Sequence, residues 1–138
     1  MISLKTYNDS YKSEWDNFID ISKNSTFLFK RDFMDYHSDK FKDNSLLIYK
    51  NSKLVALFPL NINDGKVYSH QGLTYGGIIV NHDIKFIKYL ELFTEVLNYL
   101  HEISIDKLFI KQMPVIYNSN FNGELDYLSY ISGGVIYR

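Results

Sequence analysis

The sequence contains no cysteine, which excludes a disulfide framework and a zinc-thiolate site. No basic segment followed by an apolar core stands at its start, and no apolar run reaches the roughly 20 residues that cross a bilayer. The formal net charge is -1, and basic and acidic residues are spread along the chain, so no electrostatic footprint for nucleic acid is present. These absences predict a cytoplasmic protein without nucleic-acid partners, membrane insertion or a bound metal.

The residues that are present suffice for one compact domain over 1–138, because 46% of them are hydrophobic and 17% are aromatic. The alternating segment 2–7 predicts a strand. Trp15, Phe18 and Ile19 share one face of a helix that residues 8–10 can cap. Aromatic residues at three- and four-residue spacings over 29–41 predict a second helix, which ends in the polar loop 42–44. The chain therefore begins β-α-α.

Two short turns organise the middle of the chain. The apolar runs 46–49 and 54–58 flank Asn51-Ser52, a connection of hairpin length. Asp64-Gly65 is the stronger hairpin signal, because both of its residues accept positive φ. An antiparallel meander follows, and Pro59 indicates an edge or a bulge at the end of its second run.

The second half of the chain is dominated by one long apolar repeat. Residues 84–104, capped by Asp83, predict a helix whose apolar face comprises Ile84, Ile87, Leu90, Phe93, Leu97, Leu100 and Ile103. Segments 107–111 and 135–137 are typical of strands, and 124–131 is typical of a short helix. The predicted fold is α/β (α+β), with a mixed, mostly antiparallel central sheet flanked by helices in the order β-α-α-β-β-β-α-β-α-β.

This order resembles the GNAT acyltransferase fold. Four segments are similar to the N-terminal part of bacterial FemAB-like proteins of the GNAT superfamily: WDNF at 15–18, SKNSTFLFKR at 22–31, MDYHSD at 34–39 and HQGLTYGG at 70–77. Such proteins are associated with cell-envelope polysaccharide pathways and carry two GNAT-like lobes in tandem. The resemblance covers nearly all of this chain and implies that it is the N-terminal half of a tandem-lobe protein.

The stretch SHQGLTYGGIIV at 69–80 is the first candidate site. A phosphate loop for acyl-CoA, approximated by Q/R-x-x-G-x-G/A, would use Gln71, Gly72, Gly76 and Gly77. Thr74 occupies the position of the first glycine of that pattern, however. The β-branched run that follows Gly77 also favours a strand rather than a helix. The sequence therefore disfavours a phosphate loop in this stretch, and any acyl-CoA is expected mainly in a second lobe.

Two other interpretations of the stretch remain open. As a substrate shelf, its glycines, Gly76 and Gly77 among them, let a ligand approach the backbone beside four polar side chains, His70, Gln71, Thr74 and Tyr75. As a bulged strand, it would bond His70 and Gln71 to neighbouring backbone.

A second cluster surrounds Tyr36 and His37. With Asp35 and Asp39 these residues could bind a substrate or form a metal or acid-base site. A histidine packed among aromatic residues is favoured instead, because no second histidine stands at a metal-ligand spacing.

A third candidate is the basic pair Lys30-Arg31. The pair could hold a substrate phosphate by charge-assisted hydrogen bonds, although a solvated basic pair is favoured.

The resemblance implies an acyltransferase lobe that shapes the acceptor site for transfer of an acyl or aminoacyl group. The acceptor is expected to be an amine or hydroxyl of a cell-envelope saccharide or peptide precursor, and the partner a second GNAT-like lobe or a second copy. Two alternatives are a non-catalytic binding or dimerisation module and a self-sufficient N-acetyltransferase with a degenerate loop. No catalytic base is assigned.

Overall fold

The structure is a computed structural model that describes residues 2–22, 29–35, 42–69, 77–81, 84–105 and 108–110. Within these ranges it has eight strands and three α-helices. They are β1 (Ile2–Thr6), α1 (Lys12–Ile21), α2 (Arg31–Met34), β2 (Lys42–Asp43), β3 (Leu46–Lys50), β4 (Lys53–Phe58), β5 (Asn61–Asn63), β6 (Lys66–Tyr68), β7 (Ile79–Val80), α3 (Phe86–Glu102) and β8 (Leu108–Phe109). As predicted, one strand and two helices come first and a run of strands precedes the long helix, but this run has six strands where three were predicted.

The strands form two sheets. The first has the order β1-β3-β4-β7 and is antiparallel throughout. The second has the order β2-β5-β6-β8, and within it β6 and β8 run parallel. The fold is therefore α/β with a mixed, mostly antiparallel sheet flanked by helices, as the sequence predicted.

Both predicted hairpin turns are confirmed. Asn51 and Ser52 have φ of 51° and 69°, and Asp64 and Gly65 have φ of 55° and 73°. Positive φ at both central residues is the pattern of the type I′ turn, whose twist matches that of the flanking strands. These two turns set the register of the meander from β3 to β6.

The meander is interrupted at one level, and this break separates the two sheets. Asn44-Ser45 divides β2 from β3, and Pro59-Leu60 divides β4 from β5. On the third strand, Tyr68 pairs with Asn61 and Ile79 pairs with Leu57, so β6 and β7 belong to different sheets. Of the glycine-containing stretch between them, residues 70–76 lie outside the described residues.

Two expectations in this region are corrected. The polar loop predicted at 42–44 begins with strand β2, which pairs with β5. Pro59 does not mark an edge, because β4 lies between β3 and β7. It ends β4 at the break instead. The bulge in β4 is at Val55, since Ile48 pairs with Ala56 and Tyr49 with Leu54.

Alternating side chains of β3, β4 and β7 build a core on each face of the sheet. On one face Leu47, Leu57 and Ile79 pack against the helices α1 and α2, where Trp15 is fully buried. The Trp15 indole N–H donates to the carbonyl of Phe29 at 2.7 Å and so ties α1 to the start of α2. The opposite face packs against α3; its strand residues include Leu46, Ile48, Ala56, Phe58 and Val80.

The long helix is confirmed as α3, but its predicted apolar face is partly wrong. Phe93 and Leu100 are buried, whereas Ile87 is 64% exposed and Leu97 40% exposed. The face against the sheet comprises Tyr89, Leu92, Phe93, Val96 and Leu100. Apolar residues surround much of this helix, so packing against the sheet selects its rotation. No helix in the described ranges is long and apolar enough to cross a membrane.

Three predicted features lie partly or wholly outside the described residues. The second helix was expected over 29–41, of which 29–35 are described; α2 begins at Arg31, and Lys30 before it is extended. The helix at 124–131 and the strand at 135–137 fall entirely outside. Strand β8 lies within the predicted segment 107–111.

Candidate functional site

The break in the sheet collects the buried polar residues of the protein. Ser45 and Asn61 have no exposed surface, and Ser69 is 2% exposed. Buried polar groups are costly unless they are hydrogen-bonded, so such residues mark a place where the regular ladder is replaced by side chains. The break is therefore the candidate functional site.

Ser45 bridges the break by its hydroxyl. The backbone N–H of Leu60 donates to Ser45 Oγ at 3.2 Å, and that hydroxyl donates to Asp43 Oδ1 at 2.8 Å. The backbone N–H of Asn44 donates to the carbonyl of Leu60 at 2.8 Å. Backbone groups at the end of β4 are thereby satisfied without a continuous ladder.

Arg31 is attached to the same break from the α1 and α2 side. Its Nη2 lies 2.7 Å from Asp35 Oδ1 and 3.5 Å from Asp43 Oδ1. The guanidinium carbon lies 3.7 Å from the centre of the Tyr7 ring and 4.9 Å from that of Trp15. We call these five residues the arginine cluster. It joins β1, α1, α2 and β2 around one buried cation.

The position of Arg31 is fixed by its backbone as well. Its N–H donates to Asp16 Oδ1 at 2.9 Å, so a carboxylate of α1 caps the start of α2. The side chain is 2% exposed. An arginine suits this place because its planar cation stacks on aromatic rings and stays charged when buried.

Two polar atoms of the arginine cluster have no hydrogen-bond partner among the described residues: Nε of Arg31 and the hydroxyl oxygen of Tyr7. Burial raises the pKa of Tyr7, against the opposing effect of the Arg31 cation. The tyrosine therefore remains neutral at physiological pH, and the cluster keeps a single cation between two carboxylates.

The basic pair Lys30-Arg31 is thus divided between two environments. Lys30 forms an ion pair with Asp20 at 2.7 Å and is partly exposed. The interpretation of both residues as a solvated pair is wrong for Arg31, whose charge is enclosed by protein groups. The binding of a substrate phosphate by this pair stays a prediction.

Of the glycine-containing stretch, the structure describes Ser69 and residues 77–80. Ser69 donates its backbone N–H to the carbonyl of Phe109 at 2.7 Å, which extends the parallel pair β6–β8 by one bond. Gly77 has φ of 122°, a conformation that favours glycine. The remaining predicted site residues lie outside the described residues: Tyr36, His37, His70, Gln71, Gly72, Thr74, Tyr75 and Gly76.

The glycines of this stretch do not lie at the junction between β7 and α3. Strand β7 separates Gly77 from α3, and the junction itself is 81–85, a segment without glycine. The residue before α3, Lys85, is extended and makes no side-chain cap, and the first turn contains no acidic residue. Among the described residues, no side chain caps the first amides of this helix; Asp83, the predicted cap, lies outside them.

Lysines gather at the same junction. The neighbouring Lys50 lowers the pKa of Lys88 by a side-chain hydrogen bond and by charge repulsion. Lys85 adds to that repulsion. Lys50 is partly balanced by Glu91, whose carboxylate lies 3.5 Å away. Three lysines therefore concentrate positive charge near the start of α3.

The grouping of Lys50, Lys85 and Lys88 was not predicted from the sequence. Its signal was present, since Lys85 and Lys88 stand three residues apart at the start of the long apolar repeat. Lys50 could not be added from the sequence, because the pairing of β3, β4 and β7 brings it there. No group of three or more His, Asp or Glu side chains within the described ranges is arranged to hold a metal ion.

No protein-family model matches this sequence, and the comparison with curated proteins also gives no match. Among solved structures, the ribosomal-protein-S18-alanine N-acetyltransferase from Escherichia coli matches at a TM-score of 0.53 and 12% identity, over 78% of this chain and 64% of that chain. An acetyltransferase of the GNAT family from Staphylococcus aureus matches at 0.48 and 16% identity, over 96% of this chain and 82% of that chain. A probable acetyltransferase from Staphylococcus epidermidis matches at 0.49 and 13% identity, over 78% and 71%.

The likeness to the Escherichia coli enzyme establishes the fold. This chain has the fold of GNAT acetyltransferases, and it spans less than two thirds of the length of that enzyme.

Proposed function

We propose that the chain is an acyltransferase of the GNAT type, which moves an acyl group from acyl-CoA to an amine or a hydroxyl. The observation that carries the proposal is the break in a mixed sheet of the acetyltransferase fold. There β6 pairs in parallel with β8, and after the glycine-containing stretch β7 returns to β4 and leads into α3. When bound, acyl-CoA supplies a thioester that the acceptor attacks directly.

The residues of this chain then have separate tasks. Lys85, Lys88 and the first amides of α3 hold the phosphates of the donor. The arginine cluster and Ser45 fix the strand ends around the break, which preserves the orientation on which a direct transfer depends.

For the acceptor we propose a cell-envelope saccharide or peptide precursor, as in FemAB-like proteins. His70, Gln71, Thr74 and Tyr75 would contact it. This part rests on the resemblance of the local sequences, and it includes a second GNAT-like lobe or a second copy as the partner.

The first experiment is isothermal titration of the chain with acetyl-CoA and with CoA. The double variant Lys85→Ala/Lys88→Ala should bind at least about tenfold more weakly, because each charge-assisted hydrogen bond to phosphate contributes about 1.5 kcal/mol or more. Lys66→Ala is the matched control, since Lys66 lies in the β5–β6 hairpin and removing its charge should leave binding unchanged.

A third variant separates the two candidate phosphate sites. If Gly76→Val abolishes binding and the lysine variant does not, the donor is held by the glycine-containing stretch. Failure of the folded wild-type chain to bind either ligand at millimolar concentration contradicts a donor site in this domain. It would favour a non-catalytic binding or dimerisation module.

A further inference from the structure

Among the described strands, β1 is an edge strand of its sheet. Strand β1 pairs with β3 on one side, and no strand in the described ranges pairs with its other side. Such an edge presents a row of backbone donors and acceptors, and native proteins usually cover or blunt it. The feature is separate from the lysine group at the start of α3.

A groove runs beside this edge, between β1 and α3. Three alternate residues of the strand, Ile2, Leu4 and Thr6, line one wall, and Glu95 and Glu102 of the helix line the other. Its volume is about 290 Å³. That is at the lower limit of small-molecule pockets, about 300–1,000 Å³, and it suits the side chains of a segment lying along the strand.

The carboxylates of the groove lack cations of their own. Within the described part of the chain, neither Glu95 nor Glu102 has an ion-pair partner, whereas Glu91 pairs with Lys50 at 3.5 Å. Glu95 is half-buried beside the apolar side chains of Ile2 and Leu4. The two glutamates are seven residues apart on one helix, so their Cα atoms are about 10 Å apart along its axis.

We propose that the edge of β1 binds an extended peptide segment carrying lysine or arginine at alternate positions. The segment adds to the sheet as a further strand, as in other cases of strand addition. Its alternate side chains enter the groove, where their aliphatic stems cover Ile2 and Leu4 and their charges meet Glu95 and Glu102. This binding is independent of the proposed acyl transfer.

The test uses a fluorescein-labelled, end-blocked peptide of alternating lysine and valine, titrated with the full chain and followed by anisotropy. Two comparison peptides have glutamate in place of lysine, or N-methylated backbone amides on the edge-facing residues. The lysine-valine peptide should bind at low ionic strength, and both comparison peptides should lose at least about tenfold in affinity. Binding should also slow amide hydrogen exchange in Ile2–Thr6.

Protein variants complete the test. Glu95→Gln and Glu102→Gln should each weaken binding by about threefold, the effect of one exposed ion pair. Asp64→Asn is the matched control, because it removes one charge at the remote hairpin turn and asparagine accepts its φ of 55°. Equal binding of the N-methylated peptide overturns strand addition. Unchanged affinity of the two glutamine variants, or an equal loss in Asp64→Asn, overturns the groove as the binding site.

Discussion

Replacing Arg31 by methionine should destabilise the protein by about 3 kcal/mol. Methionine provides an unbranched apolar side chain in place of the aliphatic stem of Arg31, and it removes a cation that is 2% exposed. Removing one partner of a buried ion pair costs about 3–5 kcal/mol, because the remaining charge stays desolvated. The expected loss is a large part of the 5–15 kcal/mol typical of a whole domain.

The size of this effect follows from the two carboxylates and the two rings. Asp35 is 40% exposed, so water replaces much of its interaction with Arg31. Asp43 is 22% exposed and keeps its hydrogen bond with Ser45 after the substitution. The contacts of the cation with Tyr7 and Trp15 contribute a further 0.5–2 kcal/mol or so.

Urea unfolding followed by tryptophan fluorescence measures this loss directly, because Trp15 is the single tryptophan and lies in the arginine cluster. Lys30→Ala is the matched control, since it removes the neighbouring cation and its exposed ion pair with Asp20, and it should cost less than about 1 kcal/mol. The double variant Arg31→Met/Asp43→Asn should lose less than the sum of its single changes. The reasoning is refuted if Arg31→Met costs no more than Lys30→Ala.

Two further predictions concern pH and turn geometry. Burial and a hydrogen bond to Glu14 raise the pKa of Tyr49, and burial raises the pKa of Tyr7. Above about pH 10 the unfolded chain therefore releases tyrosine protons that the folded protein keeps. The unfolding free energy should fall as pH rises beyond 10, and urea titrations should show a shallower fall for Tyr49→Phe; an equal slope would argue against the assignment. Ser52→Gly should raise the melting temperature, because it relieves a φ of 69° that costs about 1 kcal/mol outside glycine. Gly65→Ser, at a φ of 73°, should lower the melting temperature. No atom lies within 4 Å of the added Cβ, so only backbone strain changes. Melting-temperature shifts of the same sign in the two variants would contradict this account.

The candidate site was predictable in part. The glycine-containing stretch stays a prediction, since its residues 70–76 lie outside the described residues. The lysine group and the burial of Arg31 were not predicted. Both depend on residues far apart in sequence, such as Lys50 with Lys88 and Arg31 with Asp43, and a pattern along the chain does not report on such pairs.

The sequence alone determined the features that depend on neighbouring residues. Asp64-Gly65 specifies its turn by backbone preference, and the period of Trp15, Phe18 and Ile19 specifies both α1 and its buried face. Tertiary structure decided the rotation of α3, where Leu92 and Val96 are buried and Ile87 is exposed. Apolar residues lie on several sides of that helix, so its local pattern has more than one solution. Contact with the sheet selects the one that buries the most apolar surface.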